Sequence, residues 1–370
     1  MIKFKKKIQF YFKKFFQLIF LLIYGKIKYQ KDVTLSNNVI KRKIENIVSD
    51  IKGSKSYFSY KIKNGRVYTD YVEHVAIIDG NTLVNEASYQ QVSGELKNAE
   101  KNIVLTKGTS RVKKKINGRV FSLVQGASGN KNYLHWVLDI LPKIKLCSEH
   151  YPLKEIDFFY APSLQNFQKQ TLSILDIDEN KILNSDTNRH IEARELIVVD
   201  HPWYHKGFIL NENEFIPAWI IHWLRNIYLK CAKQFENSKK IYIDRTKSEF
   251  KHCQIQNDNE VFNFLKEKGF SKYRTEELSF FEQIYLFNNA KFIIGAHGAA
   301  FANLAFCEPN TNIIEIKPST HPNNVNKRIS QINNLNYRLI KTKELDENQK
   351  KFGDIYLPIK ELEQCIINFS

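Results

Sequence analysis

The sequence predicts an α/β protein with more than one domain, and three observations support this. The 370 residues exceed one ordinary domain, and a hydrophobic fraction of 43% suffices for packed cores. Strand-like and helix-like segments alternate between residues 156 and 199, and again between residues 241 and 316. The short apolar, β-branched run at residues 292–295 is broken by glycines at its carboxyl end, which is typical of a buried strand in a parallel sheet.

The first 31 residues predict a basic amphipathic helix. No acidic residue precedes Asp32, and lysines alternate with aromatic and aliphatic side chains. This pattern indicates a helix that lies on an anionic membrane surface. The apolar stretch at residues 15–24 is too short to span a bilayer. Two alternatives stay open, namely an uncleaved signal anchor and a helix packed on the protein.

Charge and cysteine content narrow the partners. A net charge of +17 fits an anionic partner, but no RNA-recognition motif, zinc finger or basic leucine-zipper pattern is present, so we expect no nucleic acid. The five scattered cysteines indicate a reducing compartment and no zinc site. Asp176 and Asp178 form a D-x-D pair of loop composition, and we expect no metal ion there.

The first domain is predicted from short elements. Residues 67–69, 75–78 and 103–105 predict strands, with turns at Asn64-Gly65 and Asp79-Gly80. Further on, residues 156–160 predict a strand, residues 166–175 a helix and residues 194–199 another strand. This alternation predicts a parallel sheet in the first domain. Residues 201–207 indicate an interdomain stretch.

Residues 130–142 predict a helix that carries a candidate general base. His135 and Asp139 are four residues apart and can hydrogen-bond on one face. A carboxylate that orients an imidazole makes a usable base. Pro142 is expected to kink or end the helix. The alternative is a pair that only locks a buried helix.

The second domain is predicted to bind phosphate at two strand ends. Arg245 and Lys247 follow a strand at residues 241–244, where either could bind a diphosphate, the alternative being a solvated loop arginine. After the strand at residues 292–295, Gly298 lets the backbone approach a ligand and His297 adds a donor at the start of a helix. The alternative for this loop is an ordinary turn with a helix-capping histidine.

Five segments together resemble glycosyltransferase family 61, particularly its capsular-polysaccharide-type bacterial members. They are Asn-Tyr-Leu-His-Trp-Val-Leu-Asp-Ile-Leu-Pro (132–142), Ile-Tyr-Ile-Asp-Arg (241–245), Glu-Gln-Ile (282–284), Gly-Ala-His-Gly-Ala-Ala-Phe-Ala-Asn-Leu-Ala-Phe (295–306) and Ile-Ile-Glu-Ile (313–316). One feature departs from the family. The second arginine expected about ten residues after Arg245 is absent, so Lys247, Lys251 or His252 could supply diphosphate contacts, or the donor could differ.

The resemblance implies a GT-B-like fold, with two Rossmann-like domains facing across a cleft and the nucleotide sugar held mainly by the second. It implies an inverting, metal-independent transfer without a cofactor. Arg245 matches the arginine at the diphosphate, and His297, Gly298 and Asn303 match the donor loop. Glu315 is the implied acceptor for a ribose or sugar hydroxyl, the alternative being a strand-end carboxylate paired to a lysine.

The domain boundaries expected from the sequence are 1–31 for the membrane-surface segment, 32–205 for the acceptor-side domain, 206–238 for a linker helix and 239–335 for the nucleotide-sugar domain. Residues 336–370 would form a tail helix that returns to the first domain.

We therefore expect a hexosyl- or pentosyltransferase at the cytoplasmic face of an inner membrane. Its donor would be a nucleotide sugar, and its acceptor a capsule, lipopolysaccharide or exopolysaccharide glycan, either free or lipid-linked. The base is His135 oriented by Asp139, or Asp139 itself. The main rival is a non-catalytic membrane-surface protein that binds glycan or polyanion. The absence of G-x-G-x-x-G argues against a second rival, an NAD- or phosphate-dependent enzyme.

Overall fold

The computed structural model describes residues 2–30, 36–54, 56–71, 73–127, 131–204, 207–208, 215–248, 252–345 and 353–369. The chain folds as two compact units. The first contains Met1–Lys131, His135–Gln165 and Leu175–Ile209, and the second contains Asn132–Leu134, Asn166–Ile174 and Leu210–Ser370. Lys251, one of the residues considered for the diphosphate, lies outside the described residues.

The strands of the first unit form two sheets. The larger sheet contains β1 (Val39–Ile44), β2 (Tyr57–Lys63), β3 (Arg66–Tyr71), β4 (His74–Asp79), β5 (Thr82–Leu83), β8 (Lys114–Ser122), β9 (Phe158–Ala161), β10 (Ile182–Asn184) and β11 (His190–Val199). The smaller sheet contains β6 (Gln90–Val92), β7 (Glu95–Lys97) and β12 (Gly207–Phe208).

The second unit contains one sheet of parallel strands. They are β13 (Lys240–Ile243), β14 (Ser271–Tyr273), β15 (Phe292–Ala296), β16 (Asn312–Pro318) and β17 (Asn336–Thr342), in the spatial order β14-β13-β15-β16-β17. Its apolar core combines inward-facing strand residues such as Ile294 and Ile314 with side chains of the covering helices.

The α-helices are α1 (Ile2–Tyr24), α2 (Val104–Lys107), α3 (Tyr133–His135), α4 (Leu141–Ser148), α5 (Asn166–Ser173), α6 (Ala218–Tyr228), α7 (Asp258–Glu267), α8 (Phe280–Asn289), α9 (Val325–Ile332) and α10 (Ile359–Ile367). A π-helical turn, Trp136–Ile140, joins α3 to α4. Tighter 3₁₀ turns cover Ala99–Lys101, Gln125–Ala127, Leu153–Glu155, Glu179–Lys181, Leu229–Cys231, Thr275–Glu277 and Ala299–Phe306.

The large sheet of the first unit is mixed, whereas the sequence predicted a parallel one. Its β10, β9, β8 and β11 are parallel neighbours, but β11 also pairs antiparallel with β2 and β3. Gly80 takes a φ of 54° in the tight turn between the antiparallel strands β4 and β5, as the sequence predicted. At Asn64-Gly65 the chain does not reverse, because β2 and β3 pair antiparallel with β11 one after the other, so this predicted turn only interrupts their run along β11.

Residues 103–105 were expected to form a strand, and they lie instead at helix α2. The Asn102 side chain accepts the N–H of Val104 at 3.2 Å, as a capping residue does. Gly108 ends the helix with a φ of 65°, which glycine adopts at little cost. Local side-chain bonding therefore outweighs the strand preference of this apolar run.

The tail helix α10 packs on the second unit, although the sequence analysis expected it to return to the first domain. Leu362 belongs to the core cluster of the second unit, and the Phe369 ring lies 5.2 Å from that of Phe292. The expected boundary at residue 335 also separates β17 from its own sheet. The apolar face of α10 is buried against the second unit, whose strands directly precede this helix in the chain.

Helix α1 exposes large apolar side chains between Phe10 and Ile23. The exposed fraction is 59% for Phe15, 60% for Leu18 and 87% for Leu22. The carboxyl end of the helix is attached through Tyr24, whose hydroxyl accepts the N–H of Lys113, and through the buried Ile27 that follows the helix. Among the described residues, no helix has both the length and the apolar character that crossing a membrane requires.

Candidate functional site

The strand order of the second unit marks a ligand crevice. The chain goes from β13 to β14 on one side and then to β15 on the other, so the winding direction reverses between β13 and β15. Ligands of open α/β sheets bind at the carboxyl ends of strands at such a reversal. β13 is followed by Asp244 and Arg245, and β15 is followed by His297, so these residues lie at that position.

Arg245 lies against the loop that follows β15. Its guanidinium donates a hydrogen bond to the carbonyl oxygen of His297. A Cβ atom on Gly298 would overlap the same guanidinium. Gly298 has a φ of 177°, which any residue adopts, so a larger residue here would displace the end of the Arg245 side chain rather than strain the backbone. Burial lowers the pKa of Arg245, but an arginine stays protonated, so a half-buried positive charge lies at the strand ends.

The carboxylate of Asp244, the residue before Arg245, makes its bonds to other residues. Asp244 is buried, forms an ion pair with Arg274 at 2.8 Å and accepts the N–H of Thr246 at 2.8 Å. Burial alone would raise the pKa of Asp244, but these bonds and nearby cations bring it below the ordinary value. Lys247 is exposed in the turn after β13. The cations at this edge are therefore not all neutralised by Asp244.

Glu315 fixes the imidazole of His297. The buried carboxylate lies on β16, directly beside Gly295 of β15, and accepts a hydrogen bond from Nδ1 of His297. It also accepts hydrogen bonds from Asn326, at 2.8 Å, and from the hydroxyl of Tyr337. Burial opposes ionisation, but His297 and the other donors outweigh it, and the pKa of Glu315 lies below the ordinary value.

Two predicted donor-binding residues are fully engaged inside the protein. Both oxygens of Glu315 accept hydrogen bonds, and Glu315 bonds directly to a histidine, an asparagine and a tyrosine where a lysine was the alternative. The buried Asn303 accepts a hydrogen bond from the hydroxyl of Tyr133 at 2.6 Å and donates to Gln283 at 2.9 Å. These two residues therefore hold other residues in place in this structure.

The histidine and carboxylate predicted to act as general base and orienting group lie together in the first unit. Nδ1 of His135 lies 2.7 Å from Oδ2 of Asp139, whose carboxylate is fully buried. The indole N–H of Trp203 donates to Oδ1 of Asp139 at 2.8 Å, and Nε2 of His201 lies 3.9 Å from Oδ2. The carboxylate is thus held from two sides, and the imidazole is fixed by it.

The helix geometry around this pair is unusual. His135 ends α3, and Asp139 lies in the π-helical turn that precedes α4. Pro142 has no N–H to donate to the previous turn, so the helix changes its winding before Pro142 and then continues to Ser148. π-Helical turns occur often at functional sites.

Two basic groups beside Asp139 have shifted pKa values. Burial would lower the pKa of His135, but the Asp139 carboxylate outweighs it and raises the pKa above the ordinary value. Lys143 is also buried nearby, donates to the carbonyl of Gln125 at 2.5 Å, and has a pKa lowered to about 7 by burial, which the Asp139 charge opposes.

The sequence did not predict several residues that lie against the carboxylates of Asp139 and Glu315. His201 and Trp203 lie in the stretch predicted to join two domains, and Asn326 and Tyr337 lie beyond the segments that carry the resemblance. No short spacing in the sequence predicts that these residues lie against Asp139 or Glu315. Only Asp139, four residues from His135, carried such a signal.

In the part of the chain that the structure describes, no group of three or more His, Cys, Asp or Glu side chains is arranged to hold a metal ion. Of the D-x-D pair, Asp178 accepts the N–H of Asn180 at 3.1 Å and so caps a 3₁₀ turn.

The family model described as Glycosyltransferase 61 matches residues 133–314. This range begins two residues before His135 and ends just before Glu315, so it contains both strand-end loops and the π-helical turn. A comparison with curated proteins finds no match.

Proposed function

Because this chain belongs to glycosyltransferase family 61 and is a glycosyltransferase, we propose that it performs an inverting, metal-independent transfer. The donor is a nucleotide sugar that supplies a hexosyl or pentosyl group. The acceptor is a surface glycan of the capsule, lipopolysaccharide or exopolysaccharide type, free or lipid-linked. The observation that carries the proposal is a half-buried histidine held by a buried carboxylate within the matched range.

Inversion requires one in-line displacement at the anomeric carbon, in which a base takes the proton of the acceptor hydroxyl. An ionised Asp139 accepts from Nδ1–H of His135, and this leaves the lone pair of the neutral imidazole on Nε2. Asp139 is completely buried and bonded to both His135 and Trp203. We therefore assign His135 as the base and Asp139 as the residue that orients it.

Negative charge grows on the diphosphate as the sugar leaves it, and cations at fixed positions stabilise that charge. Arg245 and Lys247 are the cations that follow β13, and Gly298 leaves room for the Arg245 guanidinium beside the backbone. The carbonyl oxygen of His297 accepts a hydrogen bond from Arg245, and its imidazole is fixed by Glu315. Asn303 holds the turn after this loop through its bonds to two neighbouring side chains.

The architecture that we propose is GT-B, with residues 32–205 on the acceptor side, residues 206–238 as a linker, and a nucleotide-sugar domain that begins at residue 239 and includes β17 and α10. The parallel order of the second sheet supports the last assignment. We place the enzyme at the cytoplasmic face of an inner membrane, held peripherally by residues 1–31. The exposed apolar side chains of α1 and the lysine-rich sequence support this location.

Calorimetry of the full chain with a panel of nucleoside diphosphates tests the donor site. At least one should bind, and Arg245→Ala should weaken that binding roughly tenfold to a hundredfold, since a hydrogen bond to a charged group is worth about 1.5–3 kcal/mol. Lys266→Ala removes one exposed charge from the same unit and serves as the control. Absence of binding by the wild type, or equal binding by the Arg245 and Lys266 variants, contradicts the proposal.

A further inference from the structure

The first unit contains a cavity of about 700 Å³ at the end of helix α1. Ile23 and Tyr24 of the helix line it, together with residues of β2, β3, β8 and β11. Five basic side chains line it, against only two acidic ones, Asp79 and Glu192. The basic residues are Lys63, Arg66, Lys113, Lys115 and Arg194.

Most of this positive charge has no acidic partner. Lys113 pairs with Glu192. Lys63, Lys115 and Arg194 are exposed, and none of the three forms an ion pair with a described residue. Positive side chains that face a cavity without carboxylate partners attract an anion.

Arg66 adds a buried charge to this cavity. It is 4% exposed, and its guanidinium donates to the carbonyl of Gly80 at 2.8 Å and to the Asn81 side chain at 3.0 Å. It also donates to His190, whose pKa is lowered to about 3 by burial and which is therefore neutral. Thr109 accepts a further hydrogen bond, so the N–H groups of the guanidinium are all engaged, and Arg66 contributes a fixed positive charge to the cavity without a free donor.

Helix α1 connects the cavity to the apolar surface described above. The Tyr24 hydroxyl accepts the N–H of Lys113 at 2.9 Å, and the Tyr24 ring lies edge-on to His190 at 5.1 Å. The preceding residues, Leu22 and Ile23, are 87% and 62% exposed. An amphipathic helix on a bilayer lies at the boundary between acyl chains and headgroups. The cavity would then lie at the depth of the lipid phosphates.

We propose that this cavity binds the phosphate headgroup of an anionic membrane lipid. Its volume is within the range of pockets that enclose small molecules, and its charge complements a phosphate. The proposal rests on the proposed membrane association, and it is independent of donor binding and of sugar transfer. The headgroup would fix the position of the first unit on the surface, whereas α1 alone supplies apolar attachment.

Flotation of the full chain with vesicles tests the site. The vesicles contain phosphatidylcholine with either phosphatidic acid, which presents a terminal phosphate, or phosphatidylserine, adjusted to equal surface potential. We expect at least threefold stronger binding to phosphatidic acid. The double variant Lys63→Gln, Lys115→Gln should lose at least fivefold in affinity for those vesicles and lose the preference. The control Lys101→Gln, Lys154→Gln removes the same charge from exposed positions outside the cavity and should stay within twofold of wild type.

Three outcomes overturn the proposal. Equal losses in the two double variants indicate general attraction between charges, and no loss in either indicates that the cavity takes no part. Absence of flotation by the wild type overturns the proposed membrane association as well. Nucleoside diphosphate affinity of the cavity variant, measured by calorimetry, should equal that of wild type, and it separates these failures from failure of the donor site.

Discussion

At the scale of single residues, the two candidate clusters use the same chemistry. In each, a buried carboxylate binds Nδ1 of a histidine, Asp139 with His135 in the first unit and Glu315 with His297 in the second. The first pair was predictable, because residues four apart on a helix are neighbours. The second was not, because adjacency of parallel strands sets a contact between residues 18 positions apart.

The pH dependence of transfer should report the state of His135. The base must be neutral, and Asp139 raises the pKa of His135 above its ordinary value of about 6.5. The rate of transfer should therefore rise with pH, and the midpoint of the rise should lie above about pH 6.5. Asp139→Asn removes the charge, lowers the pKa and should move this rise to lower pH, with a lower maximal rate.

His135→Ala is the companion variant. It should reduce kcat about 10²–10⁴-fold, the usual contribution of a general base, and abolish this part of the pH profile. Release of nucleoside diphosphate in the presence of acceptor measures both variants. A profile that stays unmoved in Asp139→Asn would exclude His135 as the titrating base.

Glu315→Gln should lower the free energy of unfolding at neutral pH by about 1.5–3 kcal/mol, because the buried carboxylate accepts hydrogen bonds that a neutral amide does not replace in full. The pKa of Glu315 is depressed in the folded protein, so its stabilising effect is present above the unfolded value of about 4.3 and is lost as the pH falls through the folded one.

Urea unfolding at several pH values checks this expectation. The difference between wild type and Glu315→Gln should narrow as the pH falls below about 4.3. Glu363→Gln breaks an exposed ion pair with Lys268 and should change stability by less than about 1 kcal/mol. If the difference in unfolding free energy between wild type and Glu315→Gln does not depend on pH, the charge of Glu315 is not what stabilises the fold.

At the scale of elements, the strand-end loops and the π-helical turn position the site. The apolar runs and the glycines of the sequence predicted β15 and the loop after it. The sequence also predicted that Pro142 would disturb the helix, and the structure places a π-helical turn immediately before it. It did not predict Trp203 beside Asp139, because that contact joins segments 64 residues apart.

Gly298→Ala should weaken nucleoside diphosphate binding at least tenfold while the protein remains folded. The extended backbone accepts alanine, but the new methyl group would displace the Arg245 guanidinium. Calorimetry on a double-mutant cycle is the sharp test. If the methyl group acts through the arginine, the variant with both substitutions should bind no more weakly than Arg245→Ala alone. Additive losses would show that Gly298 acts on the ligand directly.

At the scale of the whole molecule, the groups that we assign to different tasks fall in two units. The expected base and helix α1 belong to the first unit, and the strand-end loops that we assign to the donor belong to the second. Membrane attachment and donor binding should therefore be separable by substitution.

Phe15→Ser with Leu22→Ser should reduce flotation with anionic vesicles at least tenfold, because both side chains are exposed on α1 and would be buried in the bilayer. Nucleoside diphosphate binding should not change. Removal of residues 1–22, which leaves Tyr24 in place, should have the same two effects. Flotation equal to wild type in both variants would favour a helix that serves another purpose.

The sequence by itself determined most of the strands and helices, but it assigned residues 103–105 to a strand where helix α2 lies. Apolar periodicity, glycines and the capping box at Ser279 mark where strands and helices lie, since these signals act within a few residues. Only the tertiary structure decided the mixed sheet of the first unit, the place of the tail helix and the partners of each carboxylate. Those depend on which buried surfaces meet across long stretches of chain, and a pattern of neighbouring residues does not contain that information.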